Sequence, residues 1–174
     1  MSLPNECARR VVERGAESIK LGLYSYFTTE MSSELLQKFK SLSLDTLRNT
    51  YQGSIPTQLA PPPSFWESYT EEKQAIGLRA CLATWTASGN KIVPNEFQLK
   101  ATIAMMSGQD TLTDVGTGYG KTLCMIVPCL LDPSGAISIV VSPLKRLQAV
   151  QVLEFERYGI RTVIFWRNRL NSRQ

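Results

Sequence analysis

Apolar residues recur at helical spacing through the first third of the chain, with charged residues between them. One such stripe runs through residues 8–27, and a second contains Leu35, Leu36, Phe39, Leu44 and Leu47. Each stripe predicts an amphipathic helix whose apolar side packs on a core or docks on another protein. We expect the second helix to begin at Ser32 or Ser33, since a serine hydroxyl can accept a hydrogen bond from a first-turn N–H.

Prolines then interrupt the helical pattern. Pro56 and the triple proline at 61–63 disfavour regular structure, and we place the end of a helical N-terminal region, residues 1–60, at this point. Residues 61–93 combine this proline-rich linker with one further helix. We expect that helix to begin at a capping box formed by Ser68–Glu71, to run to about Ala87 and to end at Gly89.

From residue 94 onward, strand-like and helix-like segments alternate. Helices are predicted at 94–107, 123–131 and 144–157, and strands at 111–115, 136–142 and 162–165. Strands separated by helices of this length form a parallel sheet with right-handed crossovers. The sequence therefore predicts an α/β fold for residues 94–174, preceded by a mostly helical N-terminal region.

A glycine-rich loop joins the first predicted strand to the helix that follows it. The loop contains Val115, Gly116, Thr117, Gly118, Tyr119, Gly120, Lys121 and Thr122. In a strand–loop–helix unit of this kind, the loop N–H groups and the helix N-terminus form an anion cradle, a P-loop. Lys121 would reach the β- and γ-phosphates of ATP, and the Thr122 hydroxyl would bind Mg²⁺. An ordinary glycine-rich turn is the alternative interpretation.

Composition adds a few limits. The chain has 174 residues, 43% of them apolar, which suits one globular domain or a small domain with part of a larger one. Neither a run of 18 apolar residues nor a secretory signal is visible, so we expect no membrane span and an intracellular, reducing location. The net charge of +4 is compatible with a polyanionic partner. The cysteines are scattered without metal spacing: Cys7, Cys81, Cys124 and Cys129.

Three spaced elements of the second half resemble the start of a superfamily-two helicase of the DEAD/DEAH type. The first, Pro94–Gln98, resembles a Q motif at the expected distance before the P-loop lysine. The resemblance implies that the Gln98 amide reads the adenine edge of ATP, since an amide both donates and accepts hydrogen bonds. The second is the P-loop, whose first glycine is often replaced in these helicases, as it is here by Val115.

The third element, Ile139–Leu147, resembles motif Ia of RecQ-like DNA helicases, in which Ser-Pro-Leu ends a strand and a helix begins. Free N–H groups at that helix N-terminus and the adjoining basic side chains would bind a phosphate of single-stranded DNA. The predicted nucleic-acid residues are Ser142, Pro143, Leu144, Lys145 and Arg146. The alternative is a capped helix with two solvated basic residues. RecQ-like enzymes usually place an arginine three residues before the glutamine, where this chain has Asn95.

The resemblance covers about residues 94–165 and implies a partial RecA-like domain at 94–174, with an incomplete P-loop parallel sheet. ATP hydrolysis requires a Walker B aspartate, an acidic base and an arginine finger. After Thr122 the acidic residues are Asp132, Glu154 and Glu156, and all three fall on or beside predicted helices. We therefore expect a truncated RecQ-like protein that binds ATP and nucleic acid and is inactive as an ATP hydrolase on its own. The resemblance also implies a nuclear location.

Two other functions remain open. In one, residues 1–60 dock on a protein partner, and the chain is a non-catalytic interaction protein with a vestigial P-loop fold. In the other, the chain is a small P-loop kinase or signalling ATPase. That function requires a phosphate acceptor and an acidic base, and the sequence offers no candidate for either.

Overall fold

The computed structural model describes residues 37–116, 118–132 and 137–164. Residues 37–41 are helical, and six complete helices follow within these ranges. They are α1 (Leu44–Ser54), α2 (Pro63–Glu67), α3 (Glu71–Ala87), α4 (Glu96–Met106), α5 (Leu123–Leu131) and α6 (Lys145–Arg157). The helix predicted at 8–27 and the cap predicted at Ser32 or Ser33 lie outside the described residues.

The predicted α/β fold is wrong for the part of the chain that the structure describes, because no β-strand is present there. The three strand-like segments lack ladder partners, and their apolar side chains face solvent. The exposed fractions are 97% for Leu112, 85% for Ile139, 90% for Val141 and 67% for Val163. Alternation shows only that a segment suits a strand, whereas a strand also needs a neighbour for its backbone N–H and C=O groups. The parallel sheet of a RecA-like domain is therefore absent from the described residues.

The main core is built by helices packing on helices. α3 contacts α1, α4 and α5, α4 also contacts α5, and α2 contributes Phe65. Leu47, Leu82, Leu99 and Ile103 are each at most 2% exposed. These residues come from all three predicted regions, 1–60, 61–93 and 94–174, so one core crosses both predicted boundaries. The boundaries themselves stay a prediction.

A serine cap divides the second predicted amphipathic helix into two. The Ser43 side chain accepts a hydrogen bond from the backbone N–H of Thr46 and begins α1. Arg79 of α3 donates to the carbonyl oxygens of Phe39 and Leu42, at 3.1 and 3.3 Å. Carbonyl groups at a helix end need such partners, and these bonds attach residues 37–42 to α3.

The helix predicted to reach Ala87 is confirmed, but its predicted capping box is wrong. The cap residue is Thr70, whose side chain makes no capping hydrogen bond. The Ser68 hydroxyl donates instead to the carbonyl oxygen of Phe65, at the end of α2. α2 itself was not predicted. It begins with Pro63, whose fixed φ suits the first turn of a helix.

A close contact between α2 and α3 requires a glycine. The Trp66 ring packs edge-on against Phe65 and Tyr51, with centroid separations of 5.0 and 5.9 Å. It also lies over Gly77, where an added Cβ would be 2.7 Å from Trp66 Cζ3 and 3.2 Å from Ile103 Cδ1. α3 therefore approaches the tryptophan more closely than any side chain at position 77 would permit.

A smaller second core attaches α6 to the rest of the molecule. Phe155 of α6 is 5% exposed and belongs to the same cluster as Ala83 of α3 and Ile126 and Leu130 of α5. Tyr158 and Ile160 pack against this cluster from beyond the helix end. The segment 137–164 is therefore joined to the helix that the glycine-rich loop begins.

Two of the cysteines are buried as free thiols. Burial raises the pKa of the Cys81 thiol, which is fully enclosed, and that of Cys124. Cys129 is partly exposed, and Cys7 lies outside the described residues. The described residues contain no cluster of His, Cys, Asp and Glu suited to a metal ion. None of the described helices combines the length and apolar composition needed to cross a membrane.

Helix propensity alone would predict that replacing Gly77 by alanine stabilises the fold, whereas the contact with Trp66 predicts the opposite. Gly77→Ala should lower the free energy of unfolding by about 1 kcal/mol, because the clash with a packed tryptophan outweighs the helical preference for alanine. Gly53→Ala on α1 is the matched control, since nothing lies within 4 Å of its added Cβ. It should be neutral or stabilising by ~0.5 kcal/mol. Urea unfolding of both variants measures the difference, and equal effects would contradict the close packing.

Candidate functional site

The glycine-rich loop turns sharply between residue 115 and the start of α5. Gly118 and Gly120 have φ angles of 88° and 74°, in the region that other residues rarely adopt. Gly116 lies close to the Tyr119 ring, and an added Cβ would be 3.2 Å from it, so the exposed ring would have to shift slightly. Thr117 lies outside the described residues. The loop therefore has the tight curvature that lets a backbone approach phosphate groups.

The loop leads directly into α5 without a side-chain cap. The backbone N–H groups of Leu123 and Cys124 donate to the carbonyl oxygens of Gly120 and Lys121, at 3.1 and 3.0 Å. The Thr122 side chain makes no capping bond. No described residue accepts a hydrogen bond from the backbone N–H groups of 118–121. These donors and the helix N-terminus are what an anion cradle uses.

The Lys121 side chain folds back across the loop. Its Nζ donates to the carbonyl oxygens of Val115 and Gly116, at 2.8 and 3.3 Å. An ammonium group has three donors, and the side chain is exposed. The positive charge of Lys121 therefore lies beside residues 115 and 116 and is accessible to solvent.

Gln98 connects the start of α4 to the loop. Its backbone N–H donates to Asn95 Oδ1 at 3.2 Å, and its Oε1 accepts from the Asn95 N–H at 2.9 Å. Its Nε2 donates to the carbonyl oxygens of Gly120, at 2.9 Å, and Tyr119, at 3.4 Å. The side chain is 3% exposed. The structure thus brings the segment that resembles a Q motif and the glycine-rich loop together.

Both halves of the Gln98 amide are bound to main-chain groups. Adenine recognition by Gln98 would require some of these hydrogen bonds to open, and it stays a prediction. Asn95, at the position where RecQ-like enzymes usually have arginine, is the cap of α4. Sequence reasoning recognised this helix start but missed its capping box, although Asn95 and Gln98 have the spacing that would have revealed it.

The acidic residues after the loop lie on helices or at a helix end. Asp132 ends α5, as predicted, and Glu154 and Glu156 are in α6. Burial lowers the pKa of Lys40, and the charge of Asp132 opposes that effect. Asp132 therefore has a basic neighbour in the helical part of the fold.

The predicted nucleic-acid residues surround the N-terminus of α6. Pro143, Leu144 and Arg146 are exposed, and the side chain of Lys145 lies outside the description. Leu144 is the cap residue and provides no capping oxygen. Ser142 is held from within α6, because Gln148 Nε2 donates to its carbonyl oxygen. Among the described residues, no hydrogen bond joins 142–146 to the loop.

Comparison with known proteins places the second half of the chain in a family. Residues 95–172 match the DEAD/DEAH box helicase family. The chain is 33% identical over 84 residues to "Putative ATP-dependent DNA helicase Q1" of Caenorhabditis briggsae, covering 44% of this chain and 13% of that protein. It is 28% identical over 97 residues to "RecQ-like DNA helicase blm-1" of Caenorhabditis elegans, and this match covers 54% of this chain and 10% of that protein. Residues 95–172 are therefore similar to DEAD/DEAH helicases, and the relatives named here are RecQ-like DNA helicases. This confirms the predicted resemblance.

A third relative extends the similarity toward the N-terminus. "ATP-dependent DNA helicase Q-like SIM" of Arabidopsis thaliana is 28% identical over 161 residues, covering 79% of this chain and 18% of that protein. Residues 95–174 make up less than half of the chain, so this similarity includes much of the helical part before the RecQ-like segment. The chain spans 10 to 18% of the length of these three relatives. No solved structure matches it.

The Gln98 amide accepts a hydrogen bond at the α4 cap and donates to the loop, and this arrangement predicts how Gln98→Glu will behave. Glutamate retains the acceptor for the Asn95 N–H but places a carboxylate against the carbonyl oxygens of Gly120 and Tyr119. The variant should lose about 2 kcal/mol of stability near neutral pH, because a buried charge would face two acceptors. Burial and these acceptors raise the pKa of that carboxyl in the folded state. The folded variant then binds protons more tightly than the unfolded chain, and its deficit should shrink as pH falls.

Unfolding experiments between about pH 7 and pH 5 measure this deficit relative to the unaltered chain. Asn95→Ala is the control, since it removes the cap and introduces no titratable group. Its deficit should be about 1 kcal/mol and nearly independent of pH. A pH-independent deficit in Gln98→Glu would show that position 98 does not face the loop carbonyls.

Proposed function

We propose that this chain binds MgATP through Gly116–Thr122 as the nucleotide-binding part of a RecQ-like ATP-dependent DNA helicase. The observation that carries the proposal is the tether between Gln98 and Gly120, which places the α4 N-terminus against the loop. The family match over residues 95–172 and the names of the relatives support the same function.

The loop residues fit a triphosphate. Lys121 Nζ would exchange the carbonyl oxygens of Val115 and Gly116 for the β- and γ-phosphate oxygens, which are stronger acceptors because they are charged. The backbone N–H groups of 118–121 would bind the remaining phosphate oxygens. Thr122, at the start of α5, would provide the hydroxyl ligand of Mg²⁺, and the ion would neutralise part of the phosphate charge.

We further propose that the exposed turn at 142–146 binds single-stranded nucleic acid. The N-terminus of α6 offers N–H groups to a phosphate, and Arg146 supplies a positive charge beside them. α6 packs through Phe155 on α5, the helix that the P-loop begins. The two proposed ligands would therefore bind to elements that share one small core.

Hydrolysis would require a Walker B aspartate, and none of the acidic residues described after the loop is placed as one. Asp132 ends α5, and Glu154 and Glu156 lie in α6, whereas a Walker B aspartate follows a strand beside the P-loop. We propose that the chain binds ATP without hydrolysing it by itself. A nuclear location is implied only by the resemblance and stays a prediction.

The alternative, a protein-docking role for residues 1–60, gains no support from α1, the complete helix that the structure describes in this region. Leu47, Tyr51 and Ile55 are buried in the same core as Leu99 and Val127. Their apolar surface is therefore used within the chain. The similarity to the Arabidopsis helicase also extends into this helical part.

Thermal unfolding with and without MgATP tests nucleotide binding. A ligand at about a hundredfold excess over its Kd stabilises the folded state by about 2.7 kcal/mol, which corresponds to a rise in Tm of roughly 5–10 °C. Lys121→Ala should abolish this rise. Lys100→Ala is the matched control, because Lys100 is an exposed lysine of α4 with only a 4.0 Å ion pair to Glu96. It should retain the full rise, and an equal rise in Lys121→Ala would refute the P-loop assignment.

Phosphate release tests the absence of hydrolysis. The purified chain with MgATP, with or without single-stranded DNA, should release phosphate no faster than Lys121→Ala does, because the acidic residues described after the loop lie at a helix end or in α6. Turnover that is abolished in Lys121→Ala would show that a residue of this chain performs that role.

A further inference from the structure

A side chain of α6 holds the turn that carries the proposed nucleic-acid contact. Gln148 Nε2 donates to the carbonyl oxygen of Ser142, and the Gln148 backbone N–H donates to the carbonyl oxygen of Leu144 at 3.1 Å. The second bond is the first main-chain bond of α6, which any residue at this position would make. The side chain of Gln148 therefore adds the bond to Ser142, on the N-terminal side of Pro143. We infer that Gln148 is a positioning residue, which keeps the turn 142–144 in the orientation that lets the α6 N-terminus bind a nucleic-acid phosphate. This inference rests on the proposed nucleic-acid function.

The turn lacks the features that usually fix the start of a helix. Leu144, the cap residue, has no side-chain oxygen to accept a first-turn N–H. Pro143 has no backbone N–H with which to anchor the turn, and it restricts Ser142 to extended conformations without fixing one of them. The hydrogen bond from the Gln148 amide to Ser142 joins the segment before Pro143 to α6.

Gln148 is an unfavourable choice for stability alone. Its Oε1 and the Ser142 Oγ are both buried without a hydrogen-bond partner in the described part of the chain. A buried oxygen without a donor destabilises the folded state, whereas an apolar side chain of similar length would remove that cost. A polar group retained at such a cost is expected where function depends on its position.

Orientation matters here because a phosphate must meet several donors at once. The first-turn N–H groups of α6 point along the helix axis, and the exposed Arg146 side chain lies beside them. If the turn moved, residues 142–144 would cover this helix end or turn away from a bound strand. The Gln148 bond therefore acts on affinity through the turn, without contact between Gln148 and the ligand.

Gln148→Met distinguishes a role in positioning the turn from a role in stability. The substitution keeps the length of the side chain and removes both polar atoms. Binding of a fluorescent oligothymidylate is measured by anisotropy over a range of salt concentrations, and Tm is measured with and without MgATP. We expect Gln148→Met to have an unchanged or higher Tm and the full MgATP-induced rise. Its Kd for the oligonucleotide should increase about tenfold, as for one lost hydrogen bond to a charged group. The slope of log K against log salt should become shallower by ~0.7, because Arg146 would lose its phosphate contact when the turn moves.

Gln52→Met, at an exposed position of α1, is the control and should match the unaltered chain in all three measurements. Unchanged affinity and slope in Gln148→Met, with binding by the unaltered chain intact, would overturn the inference and leave the proposed function standing. A lower Tm together with a smaller MgATP effect would overturn it by making Gln148 a stability residue. Absence of oligonucleotide binding by the unaltered chain would overturn the proposed nucleic-acid function and the inference with it.

Discussion

The buried amide of Gln98 is the interaction on which the candidate nucleotide site depends. Its oxygen accepts from the cap of α4, and its nitrogen donates to the carbonyl oxygens of Tyr119 and Gly120. A buried amide must satisfy both groups, so the positions of helix and loop are determined together. Gly120 has no Cβ, and this allows the approach, since an added Cβ would lie 3.0 Å from Gln98 Nε2. Without this link the loop would have no hydrogen bond to α4, and the bonds from Lys121 to Val115 and Gly116 would join the loop only to itself.

The helical core then determines where that link can form. α4 packs on α3 and α5, and the loop joins directly to α5. The buried side chains that hold these helices include Leu99 and Ile103 of α4 and Val127 of α5. Leu47 of α1 belongs to the same cluster. The residues before the RecQ-like segment therefore help to support the loop, in agreement with the similarity of this part to the Arabidopsis helicase.

The sequence was most informative where local chemistry decides the structure. Helices α3, α4, α5 and α6 were predicted close to their observed positions, because helical periodicity and residues such as Gly89 and Asn95 act within a few positions of themselves. The serine cap that begins α1 was missed because Ser32 and Ser33 offered an earlier helix start. The short helix at Pro63 was missed because the triple proline at 61–63 indicated a linker. The sheet was predicted wrongly, because a strand requires distant partners that alternation at 111–115 or 137–142 does not reveal. The link between Gln98 and Gly120 joins residues far apart in sequence, and only the motif spacing hinted at it.

The exposed segment 137–141 has a practical consequence for the isolated chain. It reads Ile-Ser-Ile-Val-Val, contains no charge and no proline, and exposes Ile137 by 89% and Val141 by 90%. Short uncharged segments with high β-propensity pair readily with copies of themselves when their edges are accessible. Self-association of the purified protein should therefore increase steeply with concentration. Lysine or glutamate at a solvent-facing position of this segment would oppose this self-association.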